Sequence, residues 1–281
     1  MEQLLEQIRD QQKESWNKFS PGWKKWDKLF MDFLKPMGDE IIQILNPKNK
    51  NIVLDVAAGT GEPGLTIATK LSGGKVILAD LAEDMLGIAS ENAMQRGIKN
   101  IRTRACDVSD LPFADNTFDG VSCRFGFMFF PDMQLAAKEM VRVLKPGGKI
   151  ATSVWNGPEK NFWVTAIMET ITRNMQLPVP SADAPGMFRC SGQSFMKELL
   201  REAGLKNIVQ KEIHTTLNCK TPDVYWNLMT EIGAPVVTAL EKADAATKQK
   251  IKKEVYQAVS QRYGDGNIMI DASALVLSGE K

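Results

Sequence analysis

Short apolar runs alternate with longer amphipathic segments between residues 51 and 155. The runs are NIVLDV, KVILAD, NIRTRAC, TFDGVSC and GKIATSVW, and IVQKEIHTTL and NIMIDASALVL follow later in the chain. Runs of this kind are typical of strands, and strands that alternate with helices build a parallel sheet covered on both faces. The pattern predicts an α/β fold with a Rossmann-like, doubly wound, mainly parallel seven-stranded sheet.

Glycines mark the ends of the predicted helices. Gly73-Gly74 follows the first helix of this region and Gly97 follows the second. Lys145-Pro146-Gly147-Gly148 forms a turn, after which we expect the fifth strand over Lys149 to Trp155. The turn residues therefore support the alternation of strands and helices.

An aromatic stripe precedes the first strand. Ser20-Pro21 has the sequence of a helix start, with a capping residue followed by proline at the first helical position. The spacing of three or four places the following large residues on one helical face: Trp23, Trp26, Phe30, Phe33 and Met37. The simpler interpretation is that the stripe docks the helix on the core. The functional interpretation is that it covers a ligand cleft.

The chain is less regular after the fifth strand. A helical stretch with Trp163 leads into the loop LPVPSADAPGMF, whose composition suggests a surface segment. A short helix at Ser194 to Ala203 and a helical block at Pro222 to Tyr263 lie on either side of the sixth strand. We expect one compact domain made of a helical cover (1–50), a Rossmann-like core that carries the candidate site (51–155) and the rest of the sheet (156–281), with helical lid insertions at about 156–190 and 222–263.

Charge argues against nucleic acid as the main partner. The 281 residues include 35 Lys and Arg, 34 Asp and Glu and one His, so the formal net charge is +1 at pH 7. Binding to phosphate backbones normally requires a clear basic excess. Hydrophobic residues make up 43% and charged residues 25%, a globular composition that excludes disorder across the whole chain.

No segment resembles a membrane span or a secretory signal. The most apolar stretch, Phe125 to Pro131, is far shorter than the roughly 20 apolar residues that a membrane-spanning helix requires. The N-terminal residues mix charged and apolar positions, so we expect a cytoplasmic location. The cysteines form no CxxC pair, which argues against a metal site or a disulfide framework; they are Cys106, Cys123, Cys190 and Cys219.

The most informative segment is a glycine-rich turn between the first strand and a helix, NIVLDVAAGTGEPG at 51–64. Glycines let the backbone approach a ligand, and free N–H groups at a helix start face an anion. Gly59 to Gly64 matches the dinucleotide pattern GxGxxG, and Asp80 ends the next strand where an acid can bind a ribose. Asp55 and Glu62 argue against a pyrophosphate, because carboxylates at the mouth of the loop repel it and favour a cofactor with a cationic amine and a sulfonium.

A series of motifs resembles one enzyme family. Asp55-x-Ala57-x-Gly59-x-Gly61 resembles the first motif of class I S-adenosylmethionine-dependent methyltransferases, with Ala57 in place of the first glycine, and this variant resembles the ubiquinone/menaquinone C-methyltransferase group. Further matches follow in the family's order over residues 51–155: Asp80 in VILADLAEDML, Cys106-Asp107-Val108, Phe118-Asp119-Gly120-Val121 and RVLKPGGKI. The ordered set is much more specific than any single motif.

The resemblance implies S-adenosylmethionine as cofactor and S-adenosylhomocysteine as product. It implies that Asp80 binds the ribose hydroxyls, that Leu81 and Met85 flank the adenine, and that a carboxylate at Asp107 accepts from the adenine amino group. The expected cofactor-binding residues are Asp55, Ala57, Gly59, Thr60, Gly61, Asp80, Leu81, Met85, Cys106, Asp107, Val108, Arg124, Phe125 and Trp26. No metal ion is expected.

Some of these positions also have a purely structural interpretation. Asp107 and Asp110 could cap a turn, and Asp80 could cap the helix that follows it. We assign Asp119 to structure, because in the family this acid lies away from the methyl group. His214, the only histidine, lies beyond the core and is interpreted as structural. Methyl transfer needs a base only if the acceptor must lose a proton, so no catalytic residue is assigned.

The methyl acceptor is expected beyond the carboxyl ends of the strands, where open α/β sheets bind ligands. Phenylalanine and methionine side chains there would favour a small hydrophobic or aromatic acceptor. Whether RFGFMFF at 124–130 lines the cleft or is a buried strand end stays open. The expected acceptor-binding residues are Trp23, Phe127, Met128, Trp155 and Trp163.

Three functions are compatible with these observations. The best supported is a methyltransferase, monomeric or homodimeric, that moves a methyl group to a small acceptor by in-line displacement. An NAD(P)-dependent oxidoreductase would use GTGEPG as a dinucleotide loop. A non-catalytic protein that binds the adenosyl cofactor would lack a closed acceptor cleft.

Overall fold

One sheet organises the protein, whose computed structural model describes residues 2–177, 184–192, 194–264 and 266–281. Within them the sheet has seven strands in the order β3-β2-β1-β4-β5-β7-β6. The strands are β1 Ile52–Val56, β2 Lys75–Asp80, β3 Ile101–Ala105, β4 Phe118–Arg124, β5 Leu144–Trp155, β6 Lys206–Lys220 and β7 Ile268–Glu280. The helices are α1 Glu2–Leu45, α2 Gly64–Thr69, α3 Glu83–Gln95, α4 Met133–Val143, α5 Phe162–Met175, α6 Phe195–Glu202, α7 Pro222–Ile232, α8 Ala234–Glu241 and α9 Ala245–Tyr263.

Strand direction brings most carboxyl ends to one edge. The first five strands pair in parallel, and β7 pairs antiparallel with both β5 and β6. Only β7 therefore runs in the opposite direction, and the predicted mainly parallel, Rossmann-like sheet is confirmed. The helices α7 to α9 leave the sheet after β6, whose end lies at the same edge as the ends of β1, β2, β4 and β5.

The helix α1 does not begin at Ser20, so that prediction is wrong. A single helix runs from Glu2 through Pro21 to Leu45. Proline lacks the N–H group that would bond to the carbonyl oxygen of Asn17. The hydroxyl of Ser20 donates to that oxygen instead, at 2.9 Å. The carbonyl group is thus satisfied, and the helix continues across the proline.

The fifth strand begins earlier than predicted, at Leu144 instead of Lys149. The Lys-Pro-Gly-Gly turn lies inside the strand. The strand is irregular there, and its pairing with β4 shifts register between Phe118 and Gly120. Gly147 has a φ of 76°, a left-handed conformation that glycine adopts without strain. The later predictions for α6, the helical block α7 to α9, β6 and β7 are confirmed.

Helix α1 connects the core to the carboxyl edge of the sheet. Its second half buries Phe33, Met37 and Ile41 in the main hydrophobic cluster, while Trp23 packs on α3 near Met85. Residues 178–183 of the predicted loop LPVPSADAPGMF lie outside the described residues. No helix in the described ranges is both long enough and apolar enough to cross a lipid bilayer.

Candidate functional site

The glycine loop after β1 has a left-handed backbone at three positions. The φ angles are 52° at Ala57, 53° at Gly59 and 111° at Gly61. A Cβ atom on Gly61 would lie 2.9 Å from Cγ of Leu65, so only glycine fits there. Ala57 occupies the family's first glycine position, and its φ shows that this position has a left-handed backbone. Alanine adopts this conformation at a cost of about 1–2 kcal/mol, which is small enough for Ala57 to replace glycine.

Asp55 lies beneath the loop and not at its mouth, so that expectation is wrong. The residue is fully buried at the end of β1. Its Oδ2 accepts from the N–H of Gly64 at 2.9 Å, and its Oδ1 accepts from the hydroxyl of Ser122 at 2.6 Å. Burial raises the pKa of Asp55 to about 7, although these hydrogen bonds oppose the shift. Asp55 holds β1, β4 and the start of α2 together.

Asp80 joins the end of β2 to the glycine loop. Its Oδ2 accepts from the N–H of Gly59 and its Oδ1 accepts from the N–H of Ala82, both at 2.9 Å. Ala82 is the N-cap residue of α3, and no side chain caps that helix. The interpretation of Asp80 as a helix cap is therefore wrong. Leu81 is half-buried and Met85 buried beside it.

The residues that follow β3 form a turn, and one of them contacts α1. Oδ1 of Asp107 accepts from the N–H of Ser109 at 2.9 Å, so Asp107 does cap its turn. Its Oδ2 lies 3.5 Å from Nη1 of Arg9 on α1. Cys106 is half-buried, and burial raises the pKa of its thiol to about 11. Val108, the next residue but one, is buried.

Two further ionisable residues considered in the sequence, Asp119 and His214, lie away from the carboxyl edge of the sheet. Asp119 accepts from the N–H of Ile52 at 2.7 Å and from Nζ of Lys145 at 2.6 Å, at the opposite edge of the sheet. Its assignment to structure agrees with these bonds. His214 lies on the outer strand β6 with its side chain 78% exposed. Neither residue approaches the glycine loop.

The end of β4 presents a cation and a strained aromatic residue. Nη2 of Arg124 contacts Sδ of Met31 on α1 at 2.9 Å. Phe125 has a φ of 61°, and its ring stacks on Trp155 with centroids 4.3 Å apart. Such backbone strain in a non-glycine residue is concentrated at functional sites. Both residues lie at the carboxyl edge, as the sequence predicted.

The aromatic candidates are only partly brought together. Trp155 also stacks on Phe33 of α1 at 5.5 Å and meets Trp163 at 4.9 Å. Phe127 and Met128 are completely buried in the main core, so they offer no surface to an acceptor unless their neighbours move. The stretch after β4 is thus largely a buried strand end.

Trp26 does not join the residues around the loop. Its indole N–H donates to Oε2 of Glu231 on α7 at 2.8 Å, so the ring is tied to α7. Trp23 lies on the loop side instead, packed against α3, with its indole nitrogen buried and without a partner in the described chain.

Sequence reasoning missed one residue at this edge, Asp27. It lies on α1 against the loop, where Asn92 donates to it at 3.4 Å. The available signal was a single acid on the apolar stripe, four positions after Trp23 and three before Phe30. That spacing places it on the same helical face as the two aromatic rings.

The fold and the loop define a Rossmann-like cofactor-binding α/β protein. The crystal structure of the YcgJ protein from Bacillus subtilis has the same fold, with a TM-score of 0.59 and 19% identity over 87% of this chain and 97% of that one. At this identity the likeness establishes the fold alone.

The family follows from sequence comparison. The model of the ubiE/COQ5 methyltransferase family matches residues 29–167. The demethylmenaquinone methyltransferase of Bacillus subtilis is 30% identical over 191 residues, which cover 62% of this chain and 79% of the relative. This chain belongs to the ubiE/COQ5 methyltransferase family. The ubiquinone/menaquinone biosynthesis C-methyltransferase UbiE of Cellvibrio japonicus is 44% identical over 112 residues, 39% of this chain, and this chain spans only 45% of its length.

Proposed function

We propose that this protein is a methyltransferase that uses S-adenosylmethionine and acts on a small hydrophobic or aromatic acceptor. The observation that carries the proposal is the left-handed loop Ala57–Gly61, tied by Asp80 to the end of β2, in a chain of this family. A loop of this shape exposes backbone groups to a ligand at the carboxyl edge of the sheet.

The residues at the site fit an adenosyl cofactor. Nε1 of Trp23 is buried on the loop side of α1 without a hydrogen-bond partner among the described residues. Buried polar atoms are nearly always paired, so this atom favours a polar ligand. The carboxylate of Asp80 uses one acceptor position on each oxygen and retains others for ribose hydroxyls.

The roles proposed for the chain are binding, orientation and exclusion of water. The loop and Asp80 would hold the cofactor, with Leu81 and Met85 beside the adenine and Cys106 to Val108 near its amino group. Bound there, the cofactor would supply a methyl group on a sulfonium. The thioether that leaves is neutral, so it needs no acid catalyst. Alignment of the two reactants can contribute about 7–11 kcal/mol. No residue of the chain is assigned as a base.

The aromatic residues support a flat or apolar acceptor. Phe125 at the end of β4 stacks on Trp155, which stacks in turn on Phe33 of α1. Trp155 and Phe33 are buried, so the half-buried ring of Phe125 is the one of the three that could offer a face to a ligand. Aromatic faces bind other rings by offset stacking. The names of the relatives make quinone-type rings the first acceptors to test. The cytoplasmic location and the monomeric or dimeric state stay predictions.

Calorimetric titration tests the cofactor class. We expect S-adenosylmethionine and S-adenosylhomocysteine to bind with micromolar affinity and NADH and NADPH not to bind. Binding of a nicotinamide cofactor alone would overturn the proposal in favour of an oxidoreductase. If the adenosyl ligands bind, methyl transfer to a panel of quinone and phenol acceptors then separates an enzyme from a non-catalytic binding protein.

A further inference from the structure

The edge of the sheet opposite the glycine loop concentrates positive charge. Three segments lead into β1, β2 and β3 at this edge: 46–51, 70–75 and 96–100. They contain six basic residues and no acid. Arg96 forms an ion pair with Glu62. The other five form the lysine platform, a group of exposed side chains without an ion pair in the described parts of the chain: Lys48, Lys50, Lys70, Lys75 and Lys99.

Hydrogen bonds between the three segments hold the lysine platform in one shape. The N–H of Gly73 donates to the carbonyl oxygen of Asn49 at 2.9 Å, and the N–H of Lys75 donates to that of Asn51 at 3.1 Å. The side-chain amide of Asn100 donates to three carbonyl oxygens at 2.9, 3.0 and 3.3 Å: those of Ala68, Leu71 and Gly74. A partner would therefore meet lysines on a backbone that is already ordered, which lowers the entropic cost of binding.

The lysines lie close enough for their fields to add. The three segments precede adjacent strands, because Lys75 pairs with Ile52 and the N–H of Val76 donates to the carbonyl oxygen of Asn100 at 3.0 Å. Adjacent strands lie about 5 Å apart. This spacing is smaller than the screening length of about 8 Å at physiological salt. The lysine platform therefore has a positive potential that would attract and steer an anionic partner.

Helix dipoles account for at most one of these lysines. Lys70 is the C-cap residue of α2, where the negative end of the helix favours a cation. Lys48 and Lys50 follow α1, Lys99 follows α3, and each lies beyond the last turn of its helix. Lys75 begins β2. These four like charges repel one another without a compensating ion pair in the described chain, and a bound anion would relieve that repulsion.

An open groove of about 340 Å³ adjoins the lysine platform, between its first segment and the Lys-Pro-Gly-Gly turn of β5. Its lining includes three lysines, an amide and two half-buried apolar side chains: Lys48, Lys145, Lys149, Asn51, Ile44 and Leu45. Asp119 also lines the groove, but both oxygens of that carboxylate are engaged, one by the N–H of Ile52 and one by Lys145. A groove of this composition suits an extended peptide whose acidic side chains meet the lysines.

We propose that the lysine platform and this groove bind an acidic segment of a partner protein. A peptide segment fits a groove, whereas the surface of a bilayer is too broad to enter one. Nucleic acid is disfavoured by the formal net charge of only +1. The inference goes beyond the proposed function and does not depend on it. Because this surface lies opposite the glycine loop, a partner and a cofactor can be bound at the same time.

Binding of a fluorescein-labelled poly-glutamate peptide to the full chain, measured by fluorescence anisotropy, tests the proposal. The platform variant combines Lys48→Gln, Lys50→Gln and Lys75→Gln, which remove charge but keep a polar side chain. We expect it to bind the peptide about tenfold more weakly than the native protein, because three modest ion-pair contributions are lost together. Raising the salt from about 50 to about 200 mM should weaken binding to the native protein several-fold, a measurement that needs no variant.

A matched variant carries the same loss of charge elsewhere. It combines Lys242→Gln, Lys248→Gln and Lys253→Gln, at exposed lysines after α8 and on α9 that form no ion pair among the described residues. It should bind the peptide within about twofold of the native protein. Both variants should keep the native circular dichroism spectrum and the native affinity for S-adenosylhomocysteine.

The proposal is overturned if the native protein does not bind the peptide, if salt does not weaken that binding, or if both variants lose affinity equally. Vesicles of phosphatidylglycerol and duplex DNA are the competing anions. If either binds more tightly than the peptide and loses affinity in the platform variant, the surface belongs to a membrane or a nucleic acid instead. If the native protein binds the peptide but no adenosyl ligand, the proposed function fails while the lysine platform stands.

Discussion

The rings of Phe125 and Trp155 lie nearly parallel, with planes 16° apart and centroids 4.3 Å apart, although Phe125 has a φ of 61°. Its N–H still donates to the carbonyl oxygen of Ser153 at 3.0 Å, so the strained residue continues the pairing of β4 with β5. The strain and the stack together fix one ring face at the carboxyl edge of the sheet. This edge is where the acceptor is expected.

Replacing the ring of Phe125 should separate stability from activity. We expect Phe125→Leu to lower the free energy of unfolding by about 1 kcal/mol, the typical value of an aromatic pair. It should also lower methyl transfer to an aromatic acceptor, because leucine offers no ring face. Urea unfolding and turnover measure the two effects.

A second aromatic pair provides the control. Phe113 is also half-buried and packs on Phe118 with centroids 5.1 Å apart, next to the start of β4. Phe113→Leu should cost similar stability and leave turnover unchanged. If Phe125→Leu retains full turnover, Phe125 does not contribute to the acceptor site.

The left-handed conformation of Ala57 leads to a prediction about stability. Ala57→Gly removes the strain of alanine in this region, about 1–2 kcal/mol, and adds about 0.4–1 kcal/mol of chain entropy in the unfolded state. The free energy of unfolding should therefore stay equal or rise by about 1 kcal/mol. Chemical denaturation measures it.

Gly97 provides a control for the effect of left-handed backbone conformation on stability, at a position outside the site. It has a φ of 68°, and a Cβ atom there would meet no other atom within 4 Å. Gly97→Ala should therefore show the same two effects with opposite sign, the strain of alanine less the entropy that it removes from the unfolded chain, without a change in cofactor affinity. A clear loss of stability in Ala57→Gly would contradict the view that Ala57 is the strained member of the loop.

Asp80 should matter for cofactor affinity more than for folding. We expect Asp80→Ala to weaken S-adenosylhomocysteine at least about tenfold, since hydrogen bonds to a charged acceptor contribute about 1.5–3 kcal/mol each. Loss of the bond to the N–H of Gly59 adds to the effect by loosening the loop. Calorimetric titration measures the affinity.

Asp119 is the matched control, because its carboxylate also accepts a hydrogen bond from a backbone N–H but lies at the opposite edge of the sheet. Asp119→Ala should lower stability and leave cofactor affinity unchanged. A folded Asp80→Ala protein with native affinity would remove Asp80 from the site.

The sequence predicted those features of the fold and the site that are determined by residues close together along the chain. Strand and helix alternation, the glycine loop and Asp80 are encoded by spacing within a few dozen residues. The partner of Trp26 could not be predicted in this way, because Glu231 lies 205 residues further along the chain. Asp27 was missed for the same reason, since its contact with Asn92 depends on how α1 lies against α3. The start of α1 was misplaced because Ser20 satisfies the carbonyl group that proline leaves unpaired.

Asp55 should make stability depend on pH. Its pKa is raised to about 7 by burial, against about 4 in an unfolded chain. Between these values the folded protein holds a proton that the unfolded chain has lost, so Asp55's contribution to stability falls as pH rises from about 4 to 7. Asp55→Asn cannot ionise and should remove this loss, so its stability relative to the native protein should increase over that range.

Ser122 provides the companion variant for this pH dependence. Its hydroxyl favours the ionised form of Asp55, so Ser122→Ala should raise the pKa of Asp55 further and extend the loss of stability above pH 7. Urea unfolding of the three proteins from pH 4 to pH 9 gives the difference curves. If native protein and Asp55→Asn differ by a constant amount over the whole range, Asp55 is ionised throughout. Its burial beneath the loop would then be offset by the hydrogen bonds from Gly64 and Ser122.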